Sequence, residues 1–438
     1  MDAMQGRGST GFGSGRAGRW AAAPLLALVL AALALSACDQ VESWLEQAAG
    51  EPARSDPTGQ VSQPPAAVPS GPQLYCIANI GRTIVVYSLA ERRVLGDTRR
   101  VLHSDPVGPW FAGGQGYYLS RVAGDGSGQN ALLRFDPVTL AQTGRLSFAP
   151  NSNPVTLLVH PQGGLAYVAL AGSSFDNFAT NGLAVVSLPG LSLLSFLDLN
   201  AATVYPPGHT GARWTSLDGL AWDDACALGP CLYAVANNWN GVLRAGRLLV
   251  LALDGVGLPS IADAIALGMS PQGAPLLDDP DDGSRPRSLW VVNNGGYLDF
   301  GGEPGTLQRL DPALFADDTP DNETLALLTS ANTSQLPADP TGIFRFNGER
   351  AWITSYPDDV VATLELDTAT LAPLDATLPR ITGPLFSTTD PAPALFAGMG
   401  GYGPAALGEL DTAGGALLAT HNLGAGNGGL TCAEYVVP

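Results

Sequence analysis

Lysine is absent from this 438-residue chain, and all 21 of its basic residues are arginine. Reactions that need a lysine are therefore excluded, including Schiff-base chemistry, a P-loop phosphate site and a Ser-x-x-Lys nucleophile. Acidic residues are in excess, because 40 aspartates and glutamates give a formal net charge of −19. So anionic a protein is repelled by nucleic acid, and we expect no nucleic-acid partner.

Common metal and nucleophile motifs are also missing. The four histidines, at 103, 160, 209 and 421, form no H-x-H, H-E-x-x-H or C-x-x-C-H pattern, and no G-x-S-x-G elbow occurs. Zinc, c-type haem and an α/β-hydrolase serine are thus not indicated. The acidic run at 278–283 has Pro280 at a ligand position and no closing glutamate. We interpret this run as a solvated turn rather than a calcium loop.

An aromatic residue recurs seven times in short apolar, strand-like segments. The seven are Tyr75, Tyr118, Tyr167, Tyr233, Trp290, Trp352 and Phe396. After a turn, a second segment follows that usually ends in Asp or Ser, such as TIVVYS at 83–88 and VATLELD at 361–367. A strand pair repeated every roughly 40 to 65 residues is typical of β-propeller blades. The sequence therefore predicts an all-β fold over residues 73–438, a seven-bladed β-propeller of four-stranded antiparallel blades.

A propeller must close its ring, and a blade built from both chain ends does this. We expect inner strands near 108–112, 155–159, 216–222, 273–277, 342–346 and 384–388. Blade 1 lacks an inner strand of its own, and the C-terminal segment 429–437 can supply it. This places Cys432 beside Cys76 for a disulfide, with two buried free thiols as the alternative. Cys226 and Cys231 flank a short turn and can bond locally.

The first 37 residues have the features of an export signal. Arginines at 7, 16 and 19 precede an apolar run at 21–35 that is too short for an ordinary membrane span. The run ends in Leu-Ser-Ala-Cys at 35–38, which resembles the bacterial lipoprotein signal, whose cysteine carries acyl chains such as palmitate. The resemblance implies a lipid anchor on Cys38, a membrane-tethered protein of the cell envelope that faces the periplasm or the exterior. A plain signal peptide cut nearby, or an uncleaved anchor, is the alternative.

Residues 38–72 follow as a tether, in which 40–49 could form a short amphipathic helix. From residue 51 onward Pro, Ser, Gly and Gln dominate and no apolar period survives. Beyond them, several segments resemble the YVTN-repeat, lactonase-like seven-bladed propellers. These segments are LYCIAN at 74–79, AYVALA at 166–171, LYAVANN at 232–238, LWVVNN at 289–294 and VVATLELDTATL at 360–371. The resemblance spans residues 73–437 and implies the fold. That family includes surface-layer proteins, binding proteins and some sugar lactonases, so it does not imply one function.

Long insertions indicate the working face of the predicted ring. The loops at 172–181, 201–214, 237–246 and 293–305 all join strands on one face of blades 3 to 5. They carry Asp176, His209, Arg213, Trp214, Asn237, Asn238, Trp239, Asn293, Tyr297, Asp299 and Glu303. Such side chains suit a polar small molecule, a sugar or a Ca²⁺ ion, although we expect no cofactor. Asn237 and Asn293 have a second interpretation as residues that only turn the chain.

Two function classes fit these features. The first is a non-catalytic binding or scaffold lipoprotein that recognises an envelope protein or a polar carbohydrate-like ligand through Arg213, Trp214, Asn237, Trp239, Asn293 and Tyr297. The second is a lactonase-like hydrolase, for which His209, Arg213 and Asp299 are the best available polarising and basic groups. We expect the first class, because the sequence contains no spaced catalytic set.

Overall fold

The computed structural model describes residues 67–121, 130–172, 180–205, 213–238, 244–280, 283–296, 302–315, 323–329, 333, 336–337, 339–355, 362–373, 381–388, 394–399, 404–411 and 416–438. Their strands form seven antiparallel sheets, and the strands of each sheet follow one another in the chain, except at the closure of the ring. This is the predicted seven-bladed β-propeller. No helix among the described residues is long and apolar enough to span a bilayer.

Strands are numbered in chain order, and each blade is described from its inner to its outer strand. Blade 1 contains β29 (Leu430–Val437), β1 (Gly71–Ala78), β2 (Thr83–Ser88), and the short β3 (Arg93–Val94) and β4 (Arg100–Val101). Blade 2 contains β5 (Pro106–Ala112), β6 (Gln115–Ser120), β7 (Ala131–Phe135) and β8 (Gln142–Ser147). Blade 3 contains β9 (Pro154–Val159), β10 (Leu165–Leu170), β11 (Gly182–Ser187) and β12 (Ser192–Asp198).

The remaining four blades repeat this plan. Blade 4 contains β13 (Leu217–Asp223), β14 (Cys231–Ala236), β15 (Ala245–Leu253) and β16 (Pro259–Met269). Blade 5 contains β17 (Pro271–Asp278), β18 (Ser288–Asn293), β19 (Thr306–Leu310) and β20 (Thr324–Thr329). Blade 6 contains β21 (Pro340–Arg345), β22 (Arg350–Ser355), β23 (Ala362–Glu365) and β24 (Thr370–Pro373). Blade 7 contains β25 (Ile381–Thr388), β26 (Ala394–Met399), β27 (Pro404–Leu410) and β28 (Leu417–Asn427).

The repeated aromatic residue lies in the second strand of every blade and is at most 3% exposed in all seven. These second strands are almost wholly buried because neighbouring blades cover both of their faces, which explains their continuous apolar runs. Between blades 3 and 4, for example, Tyr167 and Leu183 share one apolar cluster with Leu217, Leu232 and Leu249. The core therefore lies between blades, as in other radially repeated folds.

The inner strands contact one another in a closed ring around a central channel. Their observed bounds confirm the predicted ones in every blade. Blade 1 is completed by β29, which pairs antiparallel with β1 and sets Cys432 directly opposite Cys76. Cys76 and Cys432 are bonded, as are Cys226 and Cys231, so both predicted disulfides are confirmed. The side chain of Ser70 donates to the carbonyl of Pro438 at 2.8 Å, so the two ends of the ring meet.

Candidate functional site

Two kinds of loop meet on one face of the ring, which we call the upper face. They are the loops between the second and third strands of a blade and the loops from each outer strand to the next inner strand. Every inner strand therefore begins at the upper face and ends at the opposite, lower face. A residue at the start of an inner strand shares the upper face with a residue at the end of a second strand.

Five inner strands begin with a non-glycine residue followed by glycine. The pairs are Val107-Gly108, Asp218-Gly219, Gln272-Gly273, Thr341-Gly342 and Thr382-Gly383. At or beside each pair, the register between the inner and the second strand shifts. A Cβ on Gly219 would lie 1.9 Å from the carbonyl oxygen of Gly273, so a glycine is needed for β13 and β17 to approach so closely. Asp218 is the charged residue among these pairs.

Asp218 links blades 4 and 5 at the upper end of the channel. Its Oδ2 accepts a hydrogen bond of 2.6 Å from the backbone N–H of Gly273. The side chain is only partly exposed, and burial raises its pKa, while this hydrogen bond and the positive charge of Arg121 oppose the rise. A carboxyl group with a pKa raised by burial is common at functional sites, because it can exchange a proton closer to neutral pH.

Arg121 follows β6 and Asp105 precedes β5, so both belong to the upper face of blade 2. Arg121 Nη2 donates to Asp105 Oδ1 at 3.0 Å, and Nε lies 2.9 Å from Oδ2. The backbone N–H of Arg121 also donates to the carbonyls of Ser104 and Asp105. The two side chains are 24% and 32% exposed, so the ion pair still reaches solvent.

These groups offer complementary chemistry on one face. A guanidinium donates to carbonyl, carboxylate or phosphate oxygens, and carboxylates accept from hydroxyl groups. Asp218 can also act as a general acid or base because its pKa is raised. Sequence reasoning missed Asp218, Arg121 and Asp105, although the repeated side-chain-plus-glycine pattern at the start of the inner strands was a usable signal for Asp218.

The predicted site residues fall into two groups. Asp176, His209, Trp239, Tyr297 and Asp299 lie outside the described residues, as does Cys38. Arg213, Trp214, Asn237, Asn238, Asn293 and Glu303 are described, at the ends of strands or in loops of the upper face. Trp214 is only 5% exposed, and its ring packs 4.7 Å from that of Tyr205. Burial raises the pKa of Tyr205, and the positive charge of the exposed Arg213 opposes this rise.

The asparagines of this face have different roles. The left-handed turn falls on Asn238, with φ of 57°, rather than on Asn237. Asn238 Oδ1 accepts from the N–H of Thr215 at 3.1 Å, and its Nδ2 donates to the carbonyl of Ala245 at 2.8 Å. Asn293 ends β18 and is fully buried, and the turn that follows it has positive φ at Gly295 and Gly296. Asn293 is therefore a buried residue at the end of a strand, and the glycines after it, rather than Asn293 itself, form the turn.

The interpretation of the acidic run at 278–283 as a solvated turn is wrong for its first residue. Asp278 is 0% exposed, and its two carboxylate oxygens accept from Arg285 at 2.7 and 2.8 Å. Arg345 of blade 6 donates to the same carboxylate at 3.2 Å. Asp279 is half-exposed and accepts from Arg287 at 2.8 Å. The partner from blade 6 is remote in sequence, so the local pattern could not reveal it.

A similar buried carboxylate ends β13 at the lower face. Asp223 accepts from the hydroxyl of Tyr233 at 2.5 Å and forms an ion pair with Arg287 of blade 5. Asp223, Cys226 and Cys231 form the one cluster of metal-type ligands found in the described parts of the chain. The two cysteines are bonded to each other, and the carboxylate accepts from Tyr233, from Arg287 and from the backbone N–H of Ala225. Protein contacts therefore occupy this cluster.

Comparison with known proteins supports the fold. The chain matches no protein-family model, and a comparison with curated proteins finds no match. It is similar to a periplasmic gluconolactonase from Pseudomonas aeruginosa, with 14% identity over 84% of this chain and 100% of that one and a TM-score of 0.54. A candidate 6-phosphogluconolactonase from Bacteroides fragilis is 13% identical over 84% and 99%, with a TM-score of 0.54.

A functionally unknown protein from Desulfotomaculum acetoxidans is similar as well, with 12% identity over 82% of this chain and 98% of that one and a TM-score of 0.52. Identities this low show a common propeller fold and nothing more.

Proposed function

We propose that this protein is a lipid-anchored envelope protein whose propeller binds a polar, carbohydrate-like small molecule at the upper mouth of its channel. The observation that supports the proposal best is Asp218, a carboxyl group with a raised pKa at the upper end of an inner strand, under the influence of Arg121. The neighbouring Asp105 orients the guanidinium of Arg121 through two contacts. The site is thus built on strand ends, which hold side chains more firmly than long loops do.

A sugar acid or sugar lactone fits this chemistry. Its carbonyl or carboxylate oxygen can accept from Arg121, and its hydroxyl groups can donate to Asp218 and Asp105. The net charge of −19 favours ligands of low negative charge, so a neutral sugar or lactone is the better match.

Hydrolysis of a lactone is a second candidate function, favoured by the raised pKa of Asp218. In this reaction the Asp218 carboxylate takes a proton from water while the water oxygen attacks the lactone carbonyl carbon. Arg121 stabilises the negative charge on the carbonyl oxygen. The ring C–O bond then breaks, and the leaving oxygen takes the proton held by Asp218, which gives the open hydroxy acid and restores the carboxylate. Two similar propellers bear gluconolactonase names, which fits this candidate.

Calorimetry with glucono-δ-lactone, gluconate and neutral disaccharides, together with a pH-stat assay of lactone opening, separates the two functions. A binding module should bind at least one of these probes without accelerating lactone opening, and Arg121→Gln should weaken binding about tenfold. A hydrolase should open the lactone, and Asp218→Asn should lower the rate about 100-fold or more while binding persists. Arg93→Gln is the matched control, because Arg93 is exposed on the outer strand of blade 1.

The proposed site is wrong if the Arg121→Gln and Asp218→Asn variants both bind one of these probes with the affinity of the wild type. Loss of binding in Arg285→Gln with the fold intact would point to the lower face instead. If none of these probes binds, the carbohydrate-like ligand class is rejected.

The lipid anchor on Cys38 is a separate part of the proposal, supported by the Leu-Ser-Ala-Cys box at 35–38. Mass spectrometry of membrane-extracted protein should find a diacylglyceryl-modified Cys38 at the mature N-terminus. Cys38→Ser should release the protein from membranes. A soluble mature protein, or one that begins at another residue, contradicts the anchor without affecting the ligand site.

A further inference from the structure

We propose that a cavity between blades 4 and 5 is a second binding site, which takes a small organic cation with an apolar body, such as a primary alkylammonium ion. The cavity has a volume of about 380 Å³ and lies between β16 of blade 4 and strands β18 to β20 of blade 5. This volume falls in the range of small-molecule sites, about 300–1,000 Å³. Neither Asp218 nor Arg121 lines it, so it is distinct from the channel site.

Hydrogen bonds fix the orientation of two buried amides in the cavity wall. Gln308 Nε2 donates to the carbonyl of Ala266 at 3.0 Å and to Thr324 Oγ1 at 2.9 Å. A backbone carbonyl can only accept, so the nitrogen of Gln308 faces it, and Gln308 Oε1 faces Asn293. Asn293 Nδ2 then donates to Thr306 Oγ1 at 3.0 Å and to Gln308 Oε1 at 3.5 Å. Both N–H groups of Asn293 Nδ2 therefore have acceptors within the protein.

The oxygen of Asn293 receives no hydrogen bond from any residue that the structure describes. Asn293 is 0% exposed, and a buried acceptor without a donor is destabilising, so native proteins rarely retain one. Asn181, equally buried, shows the usual arrangement. Its Oδ1 accepts from the N–H of Ser216 and its Nδ2 donates to the carbonyl of Trp214, both at 2.8 Å. We therefore expect a ligand in the cavity to donate a hydrogen bond to Asn293 Oδ1.

The charge of the wall indicates that the donor is cationic. Glu323 is 4% exposed in the wall, and the exposed Glu303 lies at the same cavity. The described lining residues include no arginine or histidine. A carboxylate in surroundings of low polarity attracts a positive donor more strongly than a neutral one. An ammonium group supplies both the positive charge and the N–H that Asn293 Oδ1 needs.

The rest of the wall suits an apolar body. Leu267, Met269, Pro304 and Leu327 line the cavity beside the polar groups. Gly268 faces Asn293, and a Cβ at Gly268 would lie 2.8 Å from Asn293 Cγ, so the glycine leaves room for the amide. The cavity therefore combines an apolar surface with one acceptor and two carboxylates, which matches an amphipathic amine.

Calorimetry and thermal unfolding with hexylammonium chloride, hexanol and sodium hexanoate on the full-length protein test this site. Hexylammonium should bind with a Kd below the millimolar range and raise Tm, whereas hexanol should bind at least tenfold more weakly and hexanoate not at all. Equal binding of all three would overturn the cationic assignment.

Variants then locate the site. Glu323→Gln and Asn293→Leu should each weaken hexylammonium binding about tenfold or more, whereas Glu91→Gln, which makes the same charge change at an exposed site, should have no effect. Leu327→Trp fills the cavity and keeps both Asn293 and Glu323 in place, so it should abolish binding even if the Asn293 variant folds poorly. Wild-type affinity in Glu323→Gln and Leu327→Trp would overturn the proposal. So would a crystal structure with hexylammonium that shows only a water molecule at Asn293 Oδ1.

Discussion

The strand β13 carries an aspartate near each end, and the two carboxyl groups have very different hydrogen-bond partners. At the lower end, Asp223 is fully buried and accepts from Tyr233 and from Arg287 of the next blade. At the upper end, Asp218 receives one backbone N–H, and burial raises its pKa. The lower carboxylate is paired with a guanidinium and a hydroxyl group, whereas the upper one has a single backbone donor and a raised pKa.

The difference between Asp223 and Asp218 reflects a difference between the lower and the upper face of the ring. The lower ends of blades 4 to 6 are connected by arginines that reach a carboxylate of the preceding blade, Arg287 to Asp223 and Arg345 to Asp278. At the upper end, burial raises the pKa of Asp218, so ionisation of this carboxyl group lowers the stability of the fold. Ion pairs between blades therefore stabilise the lower face, whereas the upper face keeps a carboxyl group with a raised pKa.

The largest effect is expected from Arg287→Leu, which leaves Asp223 buried with Tyr233 as its remaining side-chain donor. Removing one partner of a buried ion pair typically costs about 3–5 kcal/mol, since the other charge is left uncompensated. The free energy of unfolding in urea measures this cost. Arg93→Leu is the control, because its ion pair with Glu91 is exposed and worth about 0–1 kcal/mol. Equal costs for both variants would remove the distinction between the two ends of β13.

A smaller loss is expected from Tyr233→Phe, which deletes one donor to Asp223 and keeps Arg287. A hydrogen bond to a charged group contributes about 1.5–3 kcal/mol, compared with about 1 kcal/mol for a neutral acceptor. Tyr75→Phe is the matched control, because the Tyr75 hydroxyl donates to the neutral carbonyl of Pro137 at 2.7 Å. Urea unfolding of both variants gives the comparison. A greater loss for Tyr75→Phe would show that Asp223 does not need its second donor.

The smallest effect, and the most specific, is expected from Asp218→Asn. Because the folded-state pKa of Asp218 lies above its unfolded value, its contribution to stability is present at low pH and is lost as pH rises through the folded pKa. The asparagine keeps an acceptor for Gly273 but cannot ionise. Relative to the wild type, the variant should gain stability as pH rises from about 4, by up to about 1.4 kcal/mol per pH unit within the window.

Urea unfolding of wild type and Asp218→Asn between pH 4 and 8 measures this difference. A difference that does not change with pH, or a relative loss of stability in the variant as pH rises, would show that Asp218 is stabilised like Asp223. The two ends of β13 would then be equivalent.

The repeat was the part of this molecule that the sequence revealed best. Each of the seven aromatic residues marks a buried second strand, and the inner strand missing from blade 1, with Cys76 and Cys432, indicated the blade that closes the ring. Contacts between blades were harder to predict. Arg287 and Asp223 are 64 residues apart, and their pairing depends on how two lower-face turns approach each other. The sequence alone also could not show that Trp214 would be buried against Tyr205.

The candidate site was only partly predictable for the same reason. Loop length predicted a site on the upper face at blades 3 to 5, with Asn293 among its residues, whereas Arg121 and Asp105 belong to blade 2. Its unsatisfied oxygen depends on the orientation of Gln308, which a carbonyl of blade 4 determines. Asp218 was missed because the glycine that follows it indicates only the start of an inner strand, and the surroundings that raise its pKa come from other parts of the chain.

The late pairing of β29 with β1 has a consequence for how the chain acquires its disulfides. When the chain emerges N-terminus first, Cys76 meets Cys226 and Cys231 well before Cys432, which follows it by 356 residues. Pairing cysteines in order of emergence would join Cys76 to Cys226, the wrong partner. The native pattern is nested, with one short bridge inside a very long one. An early bridge from Cys76 to Cys226 would have to be exchanged before the native pair could form, and β1 remains an open sheet edge until β29 pairs with it.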